Sequence, residues 1–290
     1  MKSLLINGLK PEKIACGYMT EIKKNYIIAI PGRLESSRLP NKLLLELGGK
    51  SIITRVLENC LKVFERDKII FCTDSETLSY KAKELNVHSI ITKKECQSGS
   101  ERIASICENL IKRANGINAN EKFIEEKIIK NTLIINVQGD QPFIDPMLVK
   151  KMINFCLSKQ NIPLLTTPIY KLNQKDIHNP NVVKTLLNNK NQAIYFSRSA
   201  IPHIRGIDER NWHKYNTYYG HVGIYGYRAD ILLKWFNLSQ SNLENCEKLE
   251  QLRLIDSGYN YETFLTHGEH LSIDTEKQYL EAKQLINNLT

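Results

Sequence analysis

The stretch from Tyr26 to Leu45, YIIAIPGRLESSRLPNKLLL, restricts the choice of folds more than any other part of the chain. Its opening run, Ile27 to Ile30, has the length and β-branched content of a strand buried on both faces. Pro31 and Gly32 break that run, and Arg33, Ser36, Ser37, Arg38 and Lys42 follow closely. Cations and hydroxyls in a loop leaving a strand end can grip a polyphosphate. Arginine supplies forked donors, lysine a point charge, and the loop its backbone N–H groups. Position sets the stretch apart from a solvated basic loop, because open α/β sheets bind ligands beyond the carboxyl ends of their strands. It has neither Walker A spacing nor a GxGxxG fingerprint, which disfavours two common phosphate-binding folds.

The rest of the first half alternates strand and helix. Ile52, Ile53, Val56, Leu57, Cys60, Leu61 and Phe64 mark one helical face after the Gly48-Gly49 turn. Lys68 to Cys72 reads as a strand ending in Thr73-Asp74, which join the candidate nucleotide-binding residues. Ser75 starts a helix, and Val87 to Ile91 is the next strand. This β-α-β-α-β order predicts a parallel sheet with helices on its faces. Gln97-Ser98-Gly99 precede a further helix, whose free N–H groups can be capped locally or can meet a ligand. Residues 113–130 read as a lengthened helix or a surface insertion, and Asn131 to Val137 as a buried strand. Gln138-Gly139-Asp140 follow that strand directly, where an aspartate is a natural ligand for a hard cation or a plain turn residue.

The second half abandons the alternation. Val182 to Leu187 and Gln192 to Arg198 form a predicted hairpin, in which Lys184 and Arg198 read as edge-strand charges, Arg198 being the better anion candidate. Residues 203–218 read as a flap, and His221 to Arg228 as one strand with small residues. Ser241-x-x-Glu244 is a capping box predicted to open a single helix holding Leu249, Leu252 and Ile255. Tyr259 to Thr266 is a late strand. Ser272-Ile273-Asp274-Thr275 then leads into a last helix capped by Thr275-x-x-Gln278. The fold expected is a three-layer α/β/α, Rossmann-like mixed sheet with a smaller antiparallel lobe in the second half. Residues 1–24 form an extension, 25–290 one domain, and 179–228 the lobe.

At 290 residues and 42% hydrophobic content the chain can bury a large core. The net charge of +9 suits nucleic acid, a membrane surface or a small anion, but no dense cationic arm or RNP-type aromatic motif appears. Seven scattered cysteines with no CxxC pair suggest a reducing compartment. No apolar segment approaches the roughly 20 residues needed to span a bilayer. Leu4-Leu5-Ile6 is too short for a signal core. A cytoplasmic location, without nucleic-acid or membrane partners, is the expectation.

Several of these segments resemble motifs of the 3-deoxy-D-manno-octulosonate (Kdo) cytidylyltransferases, the CMP-Kdo synthetases. They are Pro31-Gly32-Arg33-x-x-Ser36-Ser37-Arg38-Leu39-Pro40-x-Lys42, Gln97-Ser98-Gly99-Ser100-Glu101-Arg102, Gln138-Gly139-Asp140-Gln141-Pro142, and Tyr195-Phe196-Ser197-Arg198-Ser199-x-Ile201-Pro202. They continue with His221-x-Gly223-Ile224-Tyr225-x-Tyr227-Arg228, the run from Ser241 to Arg253, and Asp274-Thr275. The family usually has Ala at Gly32 and Glu at Gln141. The resemblance implies a nucleotide-diphospho-sugar-transferase-like fold and transfer of CMP from CTP to a Kdo-like sugar acid, for lipopolysaccharide assembly, in a homodimer. Pro31, Gly32, Arg33, Ser37, Arg38, Lys42, Gln97, Ser98, Gly99 and Gln138 would face the nucleotide. Gln138, Arg198, His221, Tyr225, Glu250 and Gln251 would face the sugar acid. Asp140 and Asp274 would hold Mg²⁺, which usually takes one or two carboxylates plus substrate phosphate oxygens. Arg33, Arg38, Lys42, Asp140 and Asp274 form the expected catalytic set.

Three other readings stay open at this stage. The sugar acid could be 8-amino-Kdo or a sialic-acid-like acid. The charge of +9 could serve a nucleic-acid-binding module. Gln141, in place of an acid, could mark a retired scaffold or a changed metal affinity. The decisive structural requirement is that Lys42, Asp140 and Asp274 meet in one cleft.

Overall fold

The computed structural model describes residues 23–36, 38–267 and 272–287. Ser37, Leu4 to Ile6, Cys16 and most of the 1–24 extension therefore lie outside the described residues.

The first half builds as expected. Strand β1 (Asn25–Gly32) is followed by a small hairpin, β2 (Glu46–Leu47) and β3 (Lys50–Ser51), turning at Gly48-Gly49. Helix α1 (Ile52–Leu61) starts where the Ser51 hydroxyl caps Thr54 N–H. Then come β4 (Ile69–Thr73), α2 (Glu76–Glu84) capped by Ser75, β5 (His88–Ile91), α3 (Gly99–Ala104) capped by Ser98, and α4 (Cys107–Ala114). The 113–130 stretch is not a longer helix. Helix α4 stops at Ala114, because Asn115 and the positive-φ Gly116 turn the chain away, and only α5 (Glu126–Lys130) re-forms before β6 (Thr132–Val137).

Pro146 at the first turn and the Asp145 cap start α6 (Pro146–Ser158), which leads to β7 (Leu165–Lys171) and the short α7 (Gln174–Ile177). The predicted hairpin is present as β8 (Lys184–Leu187) and β9 (Gln192–Ser197). The run from His221 to Arg228 is not one strand. It divides into β10 (Tyr219–His221) and β11 (Ile224–Arg228) at a tight turn in which Ile224 N–H donates to the Val222 carbonyl, 2.7 Å away. After α8 (Ala229–Leu233), the expected single helix from Ser241 also divides, into α9 (Asn242–Glu247) and α10 (Leu252–Asp256). Lys248 takes a left-handed conformation between them. Glu244 does not turn back to the cap; its carboxylate holds buried Arg253 bidentately at 2.7 and 2.9 Å, which folds one helix onto the other. Strand β12 (Tyr261–Leu265) and α11 (Glu276–Asn287) complete the order, the latter opened by the reciprocal Thr275–Gln278 cap.

The main sheet has ten strands in the order β10-β8-β9-β12-β7-β11-β6-β1-β4-β5. Strands β6, β1, β4 and β5 run parallel, and β11 joins them antiparallel. β10 also pairs with β7, so β7, β10, β8, β9 and β12 close on themselves as a ring. The antiparallel lobe is thus continuous with the main sheet rather than appended to it.

Period-two alternation assigns the two faces. Ile28 and Ile30 on β1, with Leu133, Ile135 and Val137 on β6, face a core under α1, α2, α6 and α11. Ile27, Ala29 and Ile134 face the core under α3, α4, α8 and α10. The expected flap, 203–218, is anchored: Trp212 and Tyr218 are buried with Ile177, and Trp212 Nε1–H donates to the Ile207 carbonyl. The six described cysteines are free thiols, and five of them are buried.

Candidate active site

A cavity of about 780 Å³ opens beyond the carboxyl ends of β1 and β6, where parallel strands leave room for a ligand. Pro31, Gly32 and Gly139 form its floor. Gly139 has to be glycine, since a Cβ there would lie 2.7 Å from the Pro31 carbonyl oxygen. Gly32 likewise lets Leu43 and Phe71 close beneath the basic loop, because a Cβ would come within 2.8 Å of both.

The two acidic segments are far apart in the chain but are joined by backbone. Ile273, fully buried, donates its N–H to the Asp140 carbonyl at 3.1 Å, which places the next residue, Asp274, beside Asp140. Lys42, delivered by the short 3₁₀ turn Lys42–Leu44, lies between them, with Nζ 2.6 Å from Asp140 Oδ2 and 3.0 Å from Asp274 Oδ1. Arg38 adds a bond to the same Asp274 oxygen at 3.0 Å. Burial opposes the Lys42 charge, but Asp140 and then Asp274 outweigh it and hold its pKa above the ordinary value. Burial pushes Asp274 the other way, yet Lys42 and then Arg38 keep its carboxyl below the ordinary value. Lys42, Asp140 and Asp274 therefore do meet in one cleft. Two carboxylates converging on one cation form a hard-oxygen donor set.

The basic loop, Gln97-Ser98-Gly99, and Gln138 line the same cavity. Ser98 also caps Glu101 N–H, so the capping and lining roles coexist. Asp74 and Thr73 do not line the cavity. Asp74 accepts Leu34 N–H and the Arg102 guanidinium, 3.1 and 3.0 Å away, tying the base of the basic loop to α3. Thr73 accepts Ser75 N–H beneath it. Arg102, buried against Asp74 and Thr92, reaches the cavity wall. Arg102 and Lys248 were not among the sequence candidates. Arg102 falls within the Gln97 to Arg102 motif and could have been found there, whereas Lys248 carries no signal before the α9–α10 break is known.

A second hollow of about 490 Å³ continues from the first, sharing Arg38, Gln138, Asp140, Arg198, Glu250 and Asp274 in its lining. It adds Gln141, His221, Tyr225 and Gln251. The side-chain Nε2 atoms of His221 and Gln251 are both buried and have no hydrogen-bond partner among the described residues, so the Gln251 amide can donate to a ligand and the His221 ring nitrogen can donate or accept according to its tautomer. Gln251 Oε1 accepts the Tyr225 hydroxyl at 3.1 Å. Burial lowers the His221 pKa to about 3, which keeps the ring neutral, and raises Glu250 above the ordinary carboxylate value. Glu250 accepts Ser100 N–H at 3.0 Å. Gln141 donates Nε2–H to the Gly223 carbonyl at 3.2 Å, within this second hollow and outside the Lys42 cluster.

Residues 27–264 match the cytidylyltransferase family. The 3-deoxy-manno-octulosonate cytidylyltransferase of Elusimicrobium minutum is 34% identical over 262 residues, 90% of this chain and 98% of that protein. The enzyme of the same name from Francisella tularensis is 35% identical over 235 residues, 81% of this chain and 87% of that protein. A solved structure of CMP:2-keto-3-deoxy-manno-octonic acid synthetase, complexed with CTP, superposes with a TM-score of 0.75 at 29% identity. It covers 92% of this chain and all (100%) of that one.

Proposed function

The chain belongs to the cytidylyltransferase family, and on that premise we propose that it transfers CMP from CTP to a hydroxyl of Kdo, releasing pyrophosphate. One observation carries the reading: Lys42, Asp140 and Asp274 converge in a cleft that runs without interruption into a hollow presenting two unpartnered buried nitrogens. The first part suits a metal-bound triphosphate, and the second a polyhydroxylated acid.

A magnesium ion fits the donor set, because the Lys42 ammonium already stands where a cation is attracted by both carboxylates. Asp140 and Asp274 would hold it; when bound, it neutralises charge at the α-phosphate and makes the sugar hydroxyl more acidic. Lys42, Arg33 and Arg38 would hold the β- and γ-phosphates. Gln97, Ser98, Gly99 and Gln138 border the nucleotide. Arg198, His221, Tyr225, Glu250 and Gln251 orient the sugar acid. The sugar oxygen forms its bond to the α-phosphorus as the bond to the bridging oxygen breaks. Pyrophosphate leaves with that electron pair, and the hydroxyl proton passes to solvent. No covalent enzyme intermediate is required, because positioning and electrostatic stabilisation lower the barrier.

The product would feed lipopolysaccharide assembly, and the enzyme would work as a cytoplasmic homodimer. Among the described residues no helix is long and apolar enough to cross a membrane. The test is pyrophosphate release from CTP and Mg²⁺ with Kdo, 8-amino-Kdo and a sialic acid offered separately. Turnover with Kdo is expected; release only with another acid, or with none, overturns the reading as stated.

A further inference from the structure

We propose that Lys184 is a positioning residue, its ammonium fastening together the segments that wall the sugar-acid side of the cleft. The proposal rests on the two-substrate reading above. Its sequence position suggested an edge charge, but the side chain is fully buried, at 0% exposure. Nζ donates to the carbonyls of Asn179 at 2.8 Å, Val182 at 2.6 Å and Arg198 at 2.5 Å. An ammonium has three donors, and here three carbonyls take them.

The bracketed residues reach the cleft. Asn179 and Val182 line the second hollow, Pro180 lines the first, and Asn181 and Arg198 line both. Arg198 passes the connection on: Nη1 donates to the Pro180 carbonyl at 3.2 Å and Nε to the Glu247 carbonyl at 2.8 Å. The Glu247 carboxylate in turn accepts Arg198 N–H at 2.9 Å and the Ser197 hydroxyl at 2.6 Å. Glu247 directly precedes Lys248, Leu249 and Glu250, all of which line the cleft. One buried cation thus sets three wall segments. None of these bonds involves the cluster around Lys42.

The groups that face Lys184 are few. Ser197 lies opposite it on β9 and Gly220 on β10, so the neighbouring strands bring no charge directly across. Burial lowers its pKa to about 8, with Glu247 and Asp176 opposing the shift and Arg198 adding to it. A neutral amine keeps two donors for three carbonyls and turns a lone pair on the third. The wall therefore loosens as the pH rises through about 8. Stability follows the opposite sign. Between about 8 and the ordinary lysine value the unfolded chain binds more protons, so this group adds stability as the pH rises.

Three measurements test this. For Lys184→Met at pH 7, the sugar-acid KM is expected to rise about tenfold while the CTP KM stays within about twofold. In the unmodified protein, the sugar-acid KM should climb between pH 7 and 9 without a matching fall in Tm. Over the same range, hydrogen exchange at the Val182 amide should quicken beyond its intrinsic chemical rate. Equal rises in the two KM values, or a wild-type sugar-acid KM flat through pH 8, would overturn the proposal. If Lys184→Met does not fold, the wild-type pH profile decides. If the wild type turns over no sugar acid at all, the functional reading fails, and the Val182 exchange alone judges the role of Lys184.

Discussion

On the side of the cleft proposed for the nucleotide Lys42, Arg38, Asp140 and Asp274 meet one another side chain to side chain, whereas on the side proposed for the sugar acid Lys184, Arg198 and Glu250 direct their charges to backbone groups. The first arrangement leaves charged side chains that an incoming polyphosphate would recruit by exchanging partners with them. The second leaves almost no mobile charge. Its specificity falls to neutral groups held in fixed directions, chief among them His221 and Gln251 with their unpartnered nitrogens. A buried polar group without a partner costs roughly 1–3 kcal/mol. On the proposed assignment that cost would be recovered when a ligand of the right hydroxyl pattern arrives, so the sugar side would discriminate by fit and the nucleotide side by charge.

Substitutions that probe this contrast should differ in size and in the parameter they move. The largest effect is expected for Asp140→Asn, which should lower kcat by roughly 10²–10³-fold in pyrophosphate release, because it weakens charge stabilisation at the reacting phosphate. A circular-dichroism spectrum like the wild type's would confirm that the loss is chemical. Next, Arg38→Ala should raise the CTP KM by about tenfold and leave the sugar-acid KM within about twofold. Because Arg38 is exposed, the effect should shrink as salt is added. An equal rise in the two constants would erase the distinction between the sides.

His221→Phe should show the mirror pattern, a sugar-acid KM raised by about tenfold with CTP unaffected. The pH dependence sharpens this. With its pKa lowered to about 3, His221 is already neutral from pH 5 to 7, so no step near the ordinary imidazole value should appear in the sugar-acid KM. A step near pH 6.5 that vanishes in His221→Phe would show that burial does not control the ring. The smallest change is expected for Gln141→Glu, where a carboxylate would face the Gly223 carbonyl that now accepts the amide. A sugar-acid KM shifted by only about threefold, with Mg²⁺ dependence unchanged, would place this position on the sugar side. A changed Mg²⁺ dependence would instead move it to the metal side.

Local chemistry determined much of this protein. The buried strand before Pro31-Gly32, the Ser51, Ser75 and Ser98 caps, the Asp145-Pro146 helix start and the Thr275–Gln278 cap each depend on residues a few positions apart, so the chain alone reveals them. The same locality exposes the basic loop and the aspartate after β6. Tertiary structure decided what depends on distant partners. A lysine in a strand reads as an edge charge until the hairpin brings the Arg198 carbonyl over it to join those of Asn179 and Val182, a few positions upstream. The break at Lys248 needs Glu244 to find Arg253, and the kink after His221 needs β10 and β11 to pair with different stretches of β7. Asp274 is set beside Asp140 only when Ile273 binds the Asp140 backbone. Periodicity and capping are short-range and survive in the unfolded sequence, while burial and convergence arise only when the ring of strands has closed.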